Sequence, residues 1–177
     1  VDGTPADGDV VDLSTHDGTF IARGIWNSTS RLRVRLYAFD PVVQLDAALW
    51  QARLARAVAL RDALGFSDRA GATRLVNSEG DELSGLIVDR YGEWLSVQVT
   101  ALAMAHRLDV LCDALAALCT PRGILLRGAE RGLSRLEGIN LPDRLVRGVA
   151  PQGPVFVMEH GLKFGVDLAE GQKTGFY

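Results

Sequence analysis

The stretch from residue 43 to residue 64 constrains the fold most. Leu45, Leu49, Ala52, Ala55, Ala59 and Leu60 recur there at helical spacing, with Gln51, Arg53, Arg56 and Arg61 between them. Gly65 offers a C-terminal stop. On either side the pattern changes to short β-type runs. A single helix joining two strand-rich regions predicts an α+β chain, with a helix layer against sheet.

Before the helix, Asp9–Leu13 and Thr19–Trp26 read as strands around an Asp17-Gly18 turn. Asn27–Ser30 is a polar turn cluster. From Arg31 to Tyr37 the chain alternates: Leu32, Val34 and Leu36 fall on one face, and Arg31, Arg33, Arg35 and Tyr37 on the other. Asp40-Pro41 closes this first unit, residues 1–42. The connecting helix segment is 43–70.

Residues 71–169 form a second unit. Thr73–Asn77, Leu86–Arg90 and Trp94–Val99 are predicted strands, with turns at Ser78–Asp81 and at Tyr91-Gly92-Glu93. Leu108, Leu111, Leu115 and Leu118 give Ala103–Leu118 a helical period, ended by Thr120-Pro121. Gly123–Arg127 is a strand. Pro154–Met158 and Leu162–Asp167 form a hairpin around Glu159-His160-Gly161. The order strand, strand, helix, strand, strand defines this unit.

Composition excludes several classes. With 47% hydrophobic and 23% charged residues, the 177-residue chain can bury a core and is not disordered by composition. No apolar run approaches the roughly 18 residues of a membrane span, and Val1–Asp9 lacks an apolar signal region. The expected setting is cytoplasmic, with no membrane partner. The formal charge of −3 argues mildly against nucleic-acid binding, but binding depends on where charge sits. Lys163 and Lys173 are the only lysines, so nearly all positive charge is arginine, which suits bidentate phosphate contacts. Cys112 and Cys119 lie one heptad apart on an apolar stretch and read as buried filler. His16, His106 and His160 are scattered and offer no metal-ligand spacing. Gln172-Lys173-Thr174-Gly175 is not a P-loop, because Gln172 separates Gly171 from Lys173.

The run from Arg74 to Gly92, Arg-Leu-Val-Asn-Ser-Glu-Gly-Asp-Glu-Leu-Ser-Gly-Leu-Ile-Val-Asp-Arg-Tyr-Gly, resembles a signature of one methyltransferase family. Gly8–Asp12 with Phe20–Gly24, Leu136-Glu137-Gly138 and Glu170–Tyr177 resemble further segments of it. The family methylates C5 of a cytosine in bacterial large-subunit ribosomal RNA, using S-adenosylmethionine. The resemblance covers essentially the whole chain; Ser84 departs from the usual Pro. It implies a partial PUA-like RNA-binding unit at 1–42 and a strand-strand-helix-strand-strand domain at 71–169. It implies that 170–177 leads into a Rossmann-like catalytic domain lying beyond Tyr177.

On that basis ribosomal RNA is the expected partner. Arg23, Arg31, Arg33 and Arg35 would meet phosphates, with Tyr37 available to stack on a base. Lys173, Thr174, Phe176 and Tyr177 would border the S-adenosylmethionine pocket. Arg74, Asn77, Asp81 and Asp89 read first as turn-capping residues, and alternatively as a loop facing the catalytic domain or the RNA. C5 methylation needs a thiolate that attacks C6; the family places it downstream, so Cys112 and Cys119 are not that nucleophile. The 177 residues alone are expected to be inactive. A sheet lacking its first strands would expose a pairing edge, so a homodimer is also expected. Two other readings stay open: a stand-alone RNA-binding module, and a methyltransferase of this architecture acting on another RNA or on protein.

Overall fold

A computed structural model describes residues 3–128 and 136–168. Three antiparallel strands come first: β1 (Val10–Ser14), β2 (Phe20–Trp26) and β3 (Val34–Ala38), in the order β1-β2-β3. Gly18, at φ +87°, supplies the left-handed step of the first turn. The register slips between Arg23 and Gly24, where a side chain at Gly24 would come within 2.6 Å of the Arg35 carbonyl.

The third strand starts later than its alternation predicts. Asn27 Oδ1 accepts the backbone N–H groups of Thr29 and Ser30, and Asn27 N–H bonds to the Arg33 carbonyl. This side-chain turn holds residues 27–33 outside the ladder. Arg31 and Arg33 therefore precede the strand, and only Arg35 and Tyr37 lie within it.

Helix α1 (Ala47–Ala63) matches its expected place. Asp46 caps it by accepting the Leu49 N–H at 2.9 Å, and Gly65, at φ +85°, bonds back to the Asp62 carbonyl. Its buried face carries Trp50, Arg53, Leu54 and Ala57.

The second sheet has the order β4-β5-β6-β7-β8. Its strands are β4 (Ala72–Asn77), β5 (Leu86–Tyr91), β6 (Trp94–Val99), β7 (Gly123–Arg127) and β8 (Arg144–Gly148). Only β6 and β7 are parallel, so the chain must cross over between them. Two helices make that crossover, α2 (Leu102–Ala105) and α3 (Leu108–Cys119), where the sequence pattern predicts one. The sheet is β5, β6, helices, β7, β8, with β4 added at one edge. Strand β8 escapes sequence reading because it is a half-exposed edge strand without an apolar run. A separate hairpin, β9 (Val155–Glu159) and β10 (Leu162–Val166), turns through His160 and Gly161, both at positive φ, as a two-residue hairpin loop requires.

One apolar cluster joins both sheets. Ile25 and Tyr37 from the first, Trp50 and Leu54 from α1, Leu86 and Ile124 from the second, and Leu111 and Leu115 from α3 all belong to it. The hairpin packs on a smaller cluster with Tyr91, Leu125 and Leu168.

Candidate nucleic-acid interface

The arginines of the first unit have different fates. Arg23 is occupied internally: its Nε pairs with Asp12 at 2.7 Å, and Nη1 donates to the Val43 carbonyl at 2.6 Å. That hydrogen bond holds the Asp12 carboxyl below its ordinary range. Arg35 donates to Ser84 Oγ at 2.8 Å and to Glu137 Oε1 at 3.2 Å. Both side chains brace the sheet against its neighbours.

Tyr37 is not available for stacking. Only 4% of its surface is exposed. Its hydroxyl donates to the Ser84 carbonyl at 2.8 Å, and its ring meets Trp50 edge-on at 5.2 Å. Burial pushes its pKa up. Period-two counting assigned it to the arginine side, but α1 covers that part of the strand, so the face is interior.

Arg31 and Arg33 remain at the surface, and among the described residues neither forms a close ion pair, although Arg33 lies near enough to Asp7 to interact with its charge. The Arg33 guanidinium sits 5.9 Å from the centre of the half-buried Trp26 ring. Two exposed guanidinium groups, that of Arg33 beside an indole, form the surface that remains for phosphate and base contact in this unit. Trp26 was not singled out from sequence. Its end-of-strand position opposite Val34, one residue from Arg33, is the signal that points to it.

Below this surface, Glu137 gathers the loop. Its carboxylate accepts Asn27 Nδ2 at 3.1 Å, Ser30 Oγ at 3.0 Å, Arg35 Nη2 at 3.2 Å and the Leu102 N–H at 3.4 Å. Asn27 and Ser30, candidates for sugar or phosphate contact as a polar turn, are buried against it. Glu137 thus fixes the loop carrying Arg31 and Arg33 from a position more than a hundred residues downstream.

The 74–92 segment is bound by its own side chains. Arg74 pairs with Asp89 across β4 and β5 at 2.8 Å. Asp81 accepts the Asn77 N–H at 2.6 Å and both Nη groups of Arg61. Asp81 thus caps a backbone group as a turn residue is expected to, whereas Arg74 and Asp89 form a cross-strand ion pair instead and the Asn77 side chain makes no cap bond to the short helix that follows. Ser84 donates to Glu79 Oε1 at 2.6 Å while accepting from Arg35, a bridge that proline cannot make. The Ser84 bond lowers the Glu79 pKa.

Cys112 is fully buried, and burial pushes its thiol from 9.0 up to about 11. The native thiol keeps its proton at pH values where the unfolded thiol loses it. Its stabilising contribution is complete below about pH 9 and falls as pH rises towards 11. Iodoacetamide at pH 8 is expected to leave Cys112 unmodified in the folded chain and to alkylate it in urea, read by peptide mass; rapid native labelling would contradict a closed core. Among the described residues no group of His, Cys, Asp and Glu could hold a metal ion, and no helix is long and apolar enough to cross a membrane. Lys173, Thr174, Phe176 and Tyr177 lie outside the described residues.

A PUA-like domain model matches residues 1–39, which hold the first sheet. Over the whole chain the curated relatives are more particular. The chain is 32% identical over 177 residues to ribosomal RNA large subunit methyltransferase I of Escherichia coli O139:H28, covering 100% of this chain and 44% of the relative. It is 35% identical over 180 residues to the enzyme of that name from Aeromonas hydrophila, covering 45% of it. The chain therefore spans less than half the length of the curated relatives it matches. Among solved structures, a protein of Streptococcus mutans described as a SAM-dependent methyltransferase superposes with a TM-score of 0.78 at 18% identity, over 99% of this chain and 44% of that one. SMU.776, described as a methyltransferase complexed with SAH, superposes at 0.79, also at 18% identity, over 98% and 43%. At that identity the likeness speaks for the fold.

Proposed function

We propose that this chain is the RNA-recognition portion of an S-adenosylmethionine-dependent ribosomal RNA (cytosine-C5) methyltransferase, acting in the cytoplasm on large-subunit RNA. Residues 1–42 and 71–169 grip and orient the RNA, and a further domain performs the transfer. The observation that carries this reading is the pair of exposed arginines without close ion pairs, Arg31 and Arg33, on the loop before the last strand of the PUA-like sheet, with Arg33 beside Trp26. The relatives' names support the choice of ribosomal RNA. Lys173, Thr174, Phe176 and Tyr177 have the chemistry to border the cofactor, a cation for its carboxylate and aromatic rings for its adenine. A cofactor-bound structure of the longer protein without contacts from 172–177 would remove that assignment.

The test is binding of the chain to large-subunit ribosomal RNA at two salt concentrations, comparing wild type with Arg31→Ser/Arg33→Ser. Arg35 is left in place because it braces the fold. Each lost phosphate contact lowers the salt slope by about 0.9, so the double variant is expected to lose nearly two units of slope and at least tenfold in affinity at low salt. Equal binding by both proteins would overturn the assignment of this surface.

A further inference from the structure

The hairpin carries a second surface that the PUA-like face does not use. Phe156 on β9 is 58% exposed. Its ring lies against Gly165 on β10, where a side chain would come within 3.2 Å, and Lys163 Nζ stands 4.4 Å from the ring centre. Phe156 also borders an open groove of about 490 Å³, with Trp94, Arg69, Pro151 and Pro154. Trp94 is held there by donating Nε1–H to the Val149 carbonyl at 3.1 Å, with the Arg122 guanidinium 4.9 Å from its ring centre.

The charges around the groove favour an anion. Glu93 also lines it but is paired with Arg122 at 3.3 Å. Among the described residues Arg69 and Lys163 have no carboxylate partner; Arg69 donates to the Cys119 carbonyl. Two aromatic residues bordering one open groove, with two cations that have no carboxylate partner among the described residues, match what an unstructured strand offers: flat base faces at intervals along a phosphate chain. A duplex hides those faces within its own stack.

We infer that the β9–β10 hairpin and the groove beside it bind an unpaired segment of RNA, with Phe156 and Trp94 as stacking platforms and Lys163 and Arg69 meeting phosphate. This rests on the reading of the chain as an RNA-binding portion and adds a second contact, specific for single strands.

The test is fluorescence anisotropy with the 177-residue chain, a labelled single-stranded oligouridylate and a labelled blunt RNA duplex. The proteins are wild type, Phe156→Ala, Phe156→Trp, Lys163→Ala and Arg31→Ser/Arg33→Ser. Removing one stacking ring is expected to weaken single-strand binding about tenfold and leave duplex binding unchanged, with Phe156→Trp restoring it. Lys163→Ala is expected to lower the salt slope by about one. Phe156 is mostly exposed, so melting temperature should not move. If Phe156→Ala binds the single strand like wild type while the arginine variant fails, the hairpin site is overturned and the PUA-like face stands. If only Phe156→Ala fails, the hairpin site stands and the PUA-like face is wrong. A Phe156→Ala protein with altered self-association but unchanged RNA affinity would mark the hairpin as a protein contact and overturn the inference.

Discussion

Replacing Glu137 by alanine is expected to lower the melting temperature by about 9 °C. The Glu137 carboxylate accepts from Asn27, Ser30, Arg35 and the Leu102 backbone at once, and the residue is 9% exposed. Alanine removes the carboxylate and leaves the Ser30 hydroxyl without its acceptor, while Asn27 Nδ2 keeps only the backbone carbonyl of residue 137 and Arg35 keeps only Ser84 and Glu79. Breaking such a buried pair costs about 3 kcal/mol or more, and for a chain of this size each kcal/mol shifts the melting temperature by roughly 2–4 °C. Because Asn27 and Ser30 bracket the loop that presents Arg31, RNA affinity should fall as well, even below the melting transition. Glu137→Gln keeps one acceptor oxygen and should lose about half as much stability. Thermal denaturation followed by circular dichroism decides; an unchanged melting temperature would mean that packing alone holds the loop.

Tyr37 gives the second large effect. Tyr37→Ala empties a buried site against Trp50 and removes the donor to the Ser84 carbonyl, so a loss of about 3–5 kcal/mol is expected in urea unfolding. Tyr37→Phe keeps the ring and loses only the hydroxyl, at a cost of about 1 kcal/mol. If Tyr37 stacked on a base instead, Tyr37→Phe would be neutral in stability, and Tyr37→Ala would lose RNA affinity without unfolding. The expected pattern is the reverse: Tyr37→Phe binds RNA like wild type, and Tyr37→Ala fails by unfolding. Either replacement can be measured beside Arg31→Ser/Arg33→Ser, which should lose binding and keep its fold.

These variants also mark where sequence reading stopped. The period of residues 43–64 and the stop at Gly65 are local signals, and α1 follows them within a few residues; the Asp46 cap is equally local but was not singled out. The β9–β10 hairpin was equally legible, because its turn residues and alternation are encoded within a dozen positions. The arginine ladder was read onto one strand face, of which the strand holds only Arg35 and Tyr37. Alternation locates a face but does not say what covers it, and Arg35 and Tyr37 face α1 and the Ser84 loop rather than solvent. Strand β8 carried no apolar signal, since an edge strand needs only one partner.

From the sequence alone came the α+β class, the helix between two strand-rich regions, the turns, the inert character of Cys112, and the likeness that suggested RNA methylation. All of these depend on neighbours within a few residues or on a linear motif. Tertiary structure decided which arginines are spent on internal pairs, that Tyr37 is core, that Glu137 anchors the 27–30 loop, and that Phe156 and Trp94 share a groove. Those facts turn on contacts between residues tens to more than a hundred positions apart. A carboxylate that organises a loop has the same local signature as one that faces water, and only the packed chain tells them apart.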